Sequence, residues 1–147
     1  MIYKIIFFIL ISQNLFGIEK DTKKYDYIKL KECDIPILKK FKLIEQLSPY
    51  EYSYNYCMEN TLICSQISIT NNTEKEFYNF ITKIKQSLKN YKVLLNYQYK
   101  GYLIYIIENS FKELSYAVYH NGTMIILLNN SQKEVDYLID YCEQTKN

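Results

Sequence analysis

The sequence predicts an α+β domain in which an antiparallel sheet of about six strands carries two helices on one face, built from a ββα pseudo-repeat. Three observations predict it. Two capping-box sequences recur 58 residues apart, strand-like sequence precedes each of them, and an Asn121-Gly122 dipeptide separates two alternating apolar segments.

The chain opens with Met1-Ile-Tyr-Lys4 and the apolar run Ile5 to Ile11. That run is far shorter than the ~20 residues a spanning helix needs and suits the core of a signal peptide. Residues 1–17 are read as that peptide, with cleavage after Gly17, or alternatively as an uncleaved amino-terminal anchor because Leu15 is larger than the usual small residue. No integral span is expected after cleavage, and a secreted or periplasmic location follows. Residues 18–50 form an N-terminal segment that can cover the sheet. Pro36 with Ile37, Phe41, Ile44 and Leu47 has helical spacing, whereas Phe41 to Glu45 alternates as a strand, and the sequence supports both. Residues 51–147 are read as a single α+β domain.

In the first hairpin a two-residue turn at Asn60-Thr61 separates the two faces. Ser53, Asn55 and Cys57 then oppose Ser68, Gln66 and Cys64 on a polar face, while Tyr52 and Tyr54 oppose Ile69 and Ile67 on the other. Opposed strand positions lie within bridging range, so Cys57 is expected to bond Cys64, leaving Cys33 for Cys142. The second bond would close a loop of roughly a hundred residues and stabilise by about 4 to 5 kcal/mol in the chain-entropy model. Four cysteines in an exported chain read as disulfides. The six residues between Cys57 and Cys64 are not the spacing of a zinc ligand pair, so no metal or cofactor is expected.

Thr73 with Glu76 opens the first helix, which aligns Phe77, Phe80, Ile81, Ile84 and Leu88 on one stripe. A hairpin follows from Tyr91 to Glu108, turning at Lys100-Gly101. Its outward residues are Lys92, Leu94, Asn96, Gln98, Leu103, Tyr105 and Ile107. Leu114–His120 and Thr123–Leu128 form the third hairpin about Asn121-Gly122. Ser131 with Glu134 then caps a helix that aligns Val135, Leu138, Ile139 and Cys142.

This register leaves Ala117, Tyr119, Met124, Ile126 and Leu128, beside Leu103 and Tyr105, on the face away from the helices. Half of the sheet's outer surface is thus apolar, which is unusual for an uncovered monomer. Three occupants are considered: residues 22 to 50 folded across it, a protein partner or a homodimer through the sheet face, or an apolar ligand held between sheet and cover.

Composition narrows the chemistry. All 18 basic residues are lysines, so the bidentate guanidinium fork is absent, and with 3 Gly and 1 His neither a glycine-rich phosphate loop nor a multi-histidine metal site can be built. The net charge of +2 and the single short basic run Lys39-Lys40-Phe41-Lys42 argue against nucleic acid. His120 is placed at a turn mouth in solvent, with no serine or cysteine beside it in any local motif. Glu74 and Glu76 are explained by the helix start, and Glu108 and Glu113 are the remaining candidates for paired carboxylates. The sequons at Asn71, Asn121 and Asn129 coincide with caps and a turn. Ile, Lys, Asn and Tyr fill 69 of 147 positions, an AT-rich codon bias that accounts for part of the 17 tyrosines.

The segment Asp34-Ile-Pro36-Ile-Leu-Lys-Lys-Phe-Lys42-Leu43, followed by a hairpin and the helix Glu76-Phe77-Tyr-Asn-Phe80, resembles small secreted bacterial α+β domains that open with a D-[IV]-P-x-[YL] segment. The resemblance runs from residue 34 to about 130, with Lys39-Lys40-Phe41 standing where Pro-Gly-Ala commonly follows. It implies no enzymatic site. The expectation is an exported, disulfide-stabilised, non-enzymatic binding or structural module acting through the apolar outer half of its sheet. The alternatives are an apolar-ligand or lipid carrier, or a small secreted enzyme, which would need His120 in a cleft with a cysteine, serine or carboxylate.

Overall fold

The computed structural model of the chain describes residues 20–30, 33–49, 51–57, 64–87 and 89–146. The proposed export segment, Leu88 and the Asn60-Thr61 turn lie outside the described residues.

Among the described residues nine strands and two helices follow in the order β1 (Tyr25–Lys29), β2 (Asp34–Leu38), β3 (Lys42–Ser48), β4 (Glu51–Cys57), β5 (Cys64–Asn71), α1 (Glu74–Ser87), β6 (Tyr91–Tyr99), β7 (Tyr102–Asn109), β8 (Leu114–His120), β9 (Thr123–Leu128) and α2 (Gln132–Thr145). The class is α+β, but the strand count differs from about six. Seven antiparallel strands form the main sheet in the order β3-β4-β5-β9-β8-β7-β6, and β1 and β2 pair separately. The described part of residues 22–50, for which helix and strand were both open, holds three strands joined by turns: a hairpin and one edge strand. Pro36 sits inside β2 rather than opening a helix, a position it tolerates because, among the described residues, β2 is paired on one side only.

Where turns are tight the sequence signals them. Asn121 and Gly122 take φ of 44° and 83°, and Lys100 and Gly101 take 50° and 83°, the left-handed pair that a type I′ hairpin turn requires. The β4–β5 register sets Cys57 against Cys64, Asn55 against Gln66 and Ser53 against Ser68.

The two helices lie on opposite faces of the sheet, which corrects the expectation that they share one. Val135, Leu138, Ile139 and Cys142 of α2 pack with Ile67, Ile69, Ile104, Tyr116, Val118, Ile125 and Leu127. Phe77, Ile81 and Ile84 of α1 pack instead with Tyr105, Ile107 and Ala117. Residues 116, 118, 125 and 127 alternate with 117 and 126 along their strands, so the two clusters occupy the two sides of one sheet.

The reason lies just before each cap. Asn71 remains in β5, paired with Thr123, and Asn72 donates its amide to Gly122, so the chain runs straight on into α1. Its counterpart Asn129 turns at φ 55° and donates its side-chain amide to the Cys64 carbonyl at 2.8 Å, which redirects the chain to the other face. Both capping boxes are formed nonetheless. Thr73 N donates to Glu76 at 2.7 Å and Ser131 N to Glu134 at 2.8 Å.

The β1–β2 hairpin lies beside α2, on the face opposite the predicted apolar half. Ile35, Ile37, Leu30 and Phe41 enter the α2 core. Tyr25 stacks on Tyr137 at 4.7 Å and Tyr27 approaches Tyr141 at 4.9 Å. Two disulfides complete the frame: Cys57–Cys64 within the first hairpin, and Cys33–Cys142 fastening the end of the β1–β2 hairpin to α2. Among the described residues no helix is long and apolar enough to cross a membrane.

Candidate functional site

The face predicted to be open is covered over its apolar half, and the cover is α1 rather than residues 22–50. Ala117 is fully buried and Tyr105 nearly so beneath Phe77. The Phe77 ring stacks on Tyr119 at 5.1 Å and meets Tyr105 edge-on at 5.7 Å. Leu103, Tyr119, Met124 and Ile126 are half-buried against the same cluster. Ala117 and Tyr105 are core and the other four pack against it, so α1 covers much of the apolar face they form. A bulge between Val93 and Leu95 further shifts β6, so that Lys92 opposes Glu108 and leaves the face on which it was expected, while Val93 replaces it beneath α1.

Leu128 is different. It is not part of the α1 cluster and lines a groove of about 620 Å³ with Cys64, Tyr91, Asn109, Phe111, Glu113, Ser115 and Asn129. The floor is sheet: Ser115 opposes both Leu128 and Ile107, and Leu128 opposes Gln66, all on the α1 face. Next to it, the outer face of β4 and β5 stays open and polar. There Gln66 donates to the hydroxyls of Ser53 and Ser68 at 3.3 and 3.1 Å.

The rim of this groove is the β7–β8 turn. Asn109 organises it: its side-chain oxygen accepts from the amides of Phe111 and Glu113 at 2.9 and 3.0 Å. Its side-chain amide donates to the Glu113 carboxylate at 2.6 Å. The Asn109 backbone N–H donates to the Glu113 carbonyl and its carbonyl accepts from Lys112. Lys112 holds the left-handed φ of 66°, a strained position for a residue with a side chain, and its ammonium is tied to Glu108 at 2.9 Å. The turn is therefore stiff, and what it presents is Phe111, 82% exposed. A large apolar side chain held out in water by five hydrogen bonds is an arrangement that folding alone does not call for. Tyr91, 40% exposed, supplies a second aromatic wall, and Glu113 supplies a carboxylate that makes no ion pair among the described residues. Glu108 and Glu113 do not form a catalytic pair, because Glu108 is on the opposite face of β7 and bound to Lys112.

Of the residues lining this groove, Leu128 is among the interface candidates read from the sequence, and Phe111, Tyr91, Asn109 and Ser115 are not. The available signal was Asn109-Ser-Phe-Lys-Glu113, in which an asparagine starts a turn and an aromatic stands where a turn is usually polar.

His120 stands at the turn mouth as expected, partly exposed, but its ring is engaged rather than free. Its ring stacks on Tyr102 at 4.2 Å, with Nδ1 3.3 Å from the Gly101 carbonyl and Nε2 3.2 Å from the Lys146 ammonium. It lines a cavity of about 30 Å³, room for one water, together with Cys33 and Cys142. Both of those sulfurs are in the disulfide, and the Tyr102 hydroxyl donates to the Cys142 sulfur at 3.0 Å. Burial opposes the charge on Glu143, but the hydrogen-bonded Lys146 ammonium outweighs it and holds its carboxyl below the ordinary range. With the thiols oxidised, this cluster offers His120 no thiolate. What it does is fasten the end of α2 to the tips of two hairpins.

Compared with models of known protein families the chain has no match, and no curated protein is significantly similar to it.

Proposed function

We propose that the chain is an exported, non-enzymatic binding module. Its recognition surface is the groove at the end of the α1 face, together with the stiff turn that carries Phe111. The observation that supports this reading is Phe111 itself: 82% exposed, set by a turn with a strained residue, at the mouth of a groove of about 620 Å³. Rigid presentation of an exposed aromatic beside a concavity of a few hundred Å³ is how binding sites concentrate affinity at small entropic cost. The groove's chemistry favours a ligand or partner side chain with an apolar body for Leu128, Tyr91 and Phe111 and a donor or cation for Glu113. Export and residence in an oxidising compartment are supported by the amino-terminal apolar run and by two disulfides that leave no cysteine free.

An amide and methyl NMR screen of small aryl-alkyl ammonium compounds and their neutral analogues tests this. The expected result is shifts confined to Tyr91, Asn109–Ser115 and Leu128, larger for the cations. No binding, or shifts centred elsewhere, would refute the assignment.

A further inference from the structure

Among the described residues strand β3 closes one edge of the main sheet and pairs only with β4. Every residue from Lys42 to Leu47 is exposed, with Leu43, Ile44 and Leu47 at 50, 61 and 70%. An apolar edge strand of this length, open on its outer rim and uncovered on both faces, is a template for another strand. The register irregularities of β3 also arrange its charge. In a regular strand, residues three apart point to opposite faces. Here the bulge between Leu43 and Glu45 sets Lys42 opposite Asn55 and Glu45 opposite Ser53, and Asn55 and Ser53 share the α1 face. Lys42 and Glu45 therefore stand on one face with Leu43 and Ile44 between them, and neither forms an ion pair among the described residues. Read in one direction this edge is plus, apolar, apolar, minus, a pattern complementary to itself when reversed.

We propose that β3 pairs antiparallel with β3 of a second copy of this chain, about a twofold axis passing between Leu43 and Ile44. Lys42 then opposes Glu45 of the partner subunit and Glu45 opposes Lys42 of the partner subunit, flanking an apolar centre. The contact is isologous, so it closes at two copies and does not propagate into a fibre. It is independent of the groove, which lies toward the other side of the sheet.

Sedimentation velocity on the full disulfide-bonded chain tests the pairing. The expected result is a concentration-dependent dimer that weakens about tenfold in Lys42→Glu and equally in Glu45→Lys, because each single change turns two attractive cross-strand contacts into repulsive ones. The double variant, Lys42→Glu with Glu45→Lys, restores dimerisation, since exchange of the two charges keeps the pattern self-complementary. Both charged positions, Lys42 and Glu45, are exposed, so the three charge variants keep the wild-type circular dichroism spectrum. Ile44→Asp, which sets two carboxylates at the axis, abolishes the dimer in a folded chain. A monomer at every concentration, a dimer indifferent to the single reversals, or a double variant that stays as weak as the singles would each overturn the proposal.

Discussion

Replacing Cys33 and Cys142 together by alanine removes the bond that closes the longest covalent loop in the chain, a separation of 109 residues. In the chain-entropy model a loop of that length restricts the unfolded state by about 16 cal/mol/K, or about 4.8 kcal/mol at 25 °C. Cys57–Cys64 spans only 7 residues, and the same arithmetic assigns it about 2.4 kcal/mol. For a chain of this size, with an unfolding entropy of about 0.3 kcal/mol/K, the two losses correspond to falls in Tm of roughly 16 and 8 °C. Because Cys33 and Cys142 are buried and Cys57 is exposed, lost packing widens the difference. Both double variants still fold, since Ile35 and Ile37 and the Tyr25–Tyr137 and Tyr27–Tyr141 contacts hold the β1–β2 hairpin on α2 without the bond. Urea and thermal unfolding of the two variants measures this directly. An equal loss in both, or a larger one from Cys57 and Cys64, would refute the argument that Cys33–Cys142 acts by restricting the unfolded chain.

Phe77→Ala removes a fully buried ring from beneath α1 and is expected to cost about 3 to 5 kcal/mol in urea unfolding. A loss below about 1 kcal/mol would contradict the placement of α1 over Tyr105, Ala117 and Tyr119. Glu76 accepts from the Thr73 amide at 2.7 Å and the Thr73 hydroxyl at 2.9 Å, and these bonds to the charged form hold its carboxyl below the usual carboxylate range. Its folded pKa being the lower one, the contribution of the box is complete above the unfolded value of about 4.3 and is lost as pH falls through the folded value. Carboxyl NMR titration should place the Glu76 midpoint below that of an ordinary glutamate, and a midpoint at or above it would show the box unformed in solution.

Much of the sheet was legible because strand faces alternate with period two. The polarity of Ser53, Asn55, Gln66 and Ser68 fixed the first hairpin's register and, with it, the opposition of Cys57 and Cys64. Asn121-Gly122 and Lys100-Gly101 announced their turns through the positive φ those positions need. The same alternation sorts the tyrosines between the two faces: Tyr52, Tyr54, Tyr56, Tyr97, Tyr99, Tyr102 and Tyr116 join the α2 core, and Tyr105 and Tyr119 the other face. What polarity cannot specify is which helix covers which face. Ala117, Tyr119 and Ile126 proclaim a partner, and two amphipathic helices and an apolar N-terminal stretch were all chemically suited to be it. The choice rests on the backbone at one residue, Asn129, whose left-handed turn no periodicity encodes. Bulges escape for a similar reason. One extra residue in β3 or β6 exchanges faces without changing composition, and so moved Lys92 to the other side and brought Glu45 alongside Lys42. Phe111 was missed because it belongs to no periodic pattern, only to hydrogen bonds made by Asn109.

The most direct test of the groove as a recognition surface compares Phe111→Ser with the wild-type chain for both stability and binding of the same aryl-alkyl ammonium probe. An exposed ring that serves recognition leaves unfolding within about 0.5 kcal/mol of wild type while binding weakens tenfold or more. A fall in stability of more than about 1 kcal/mol with unchanged binding would make Phe111 a structural residue and contradict the account.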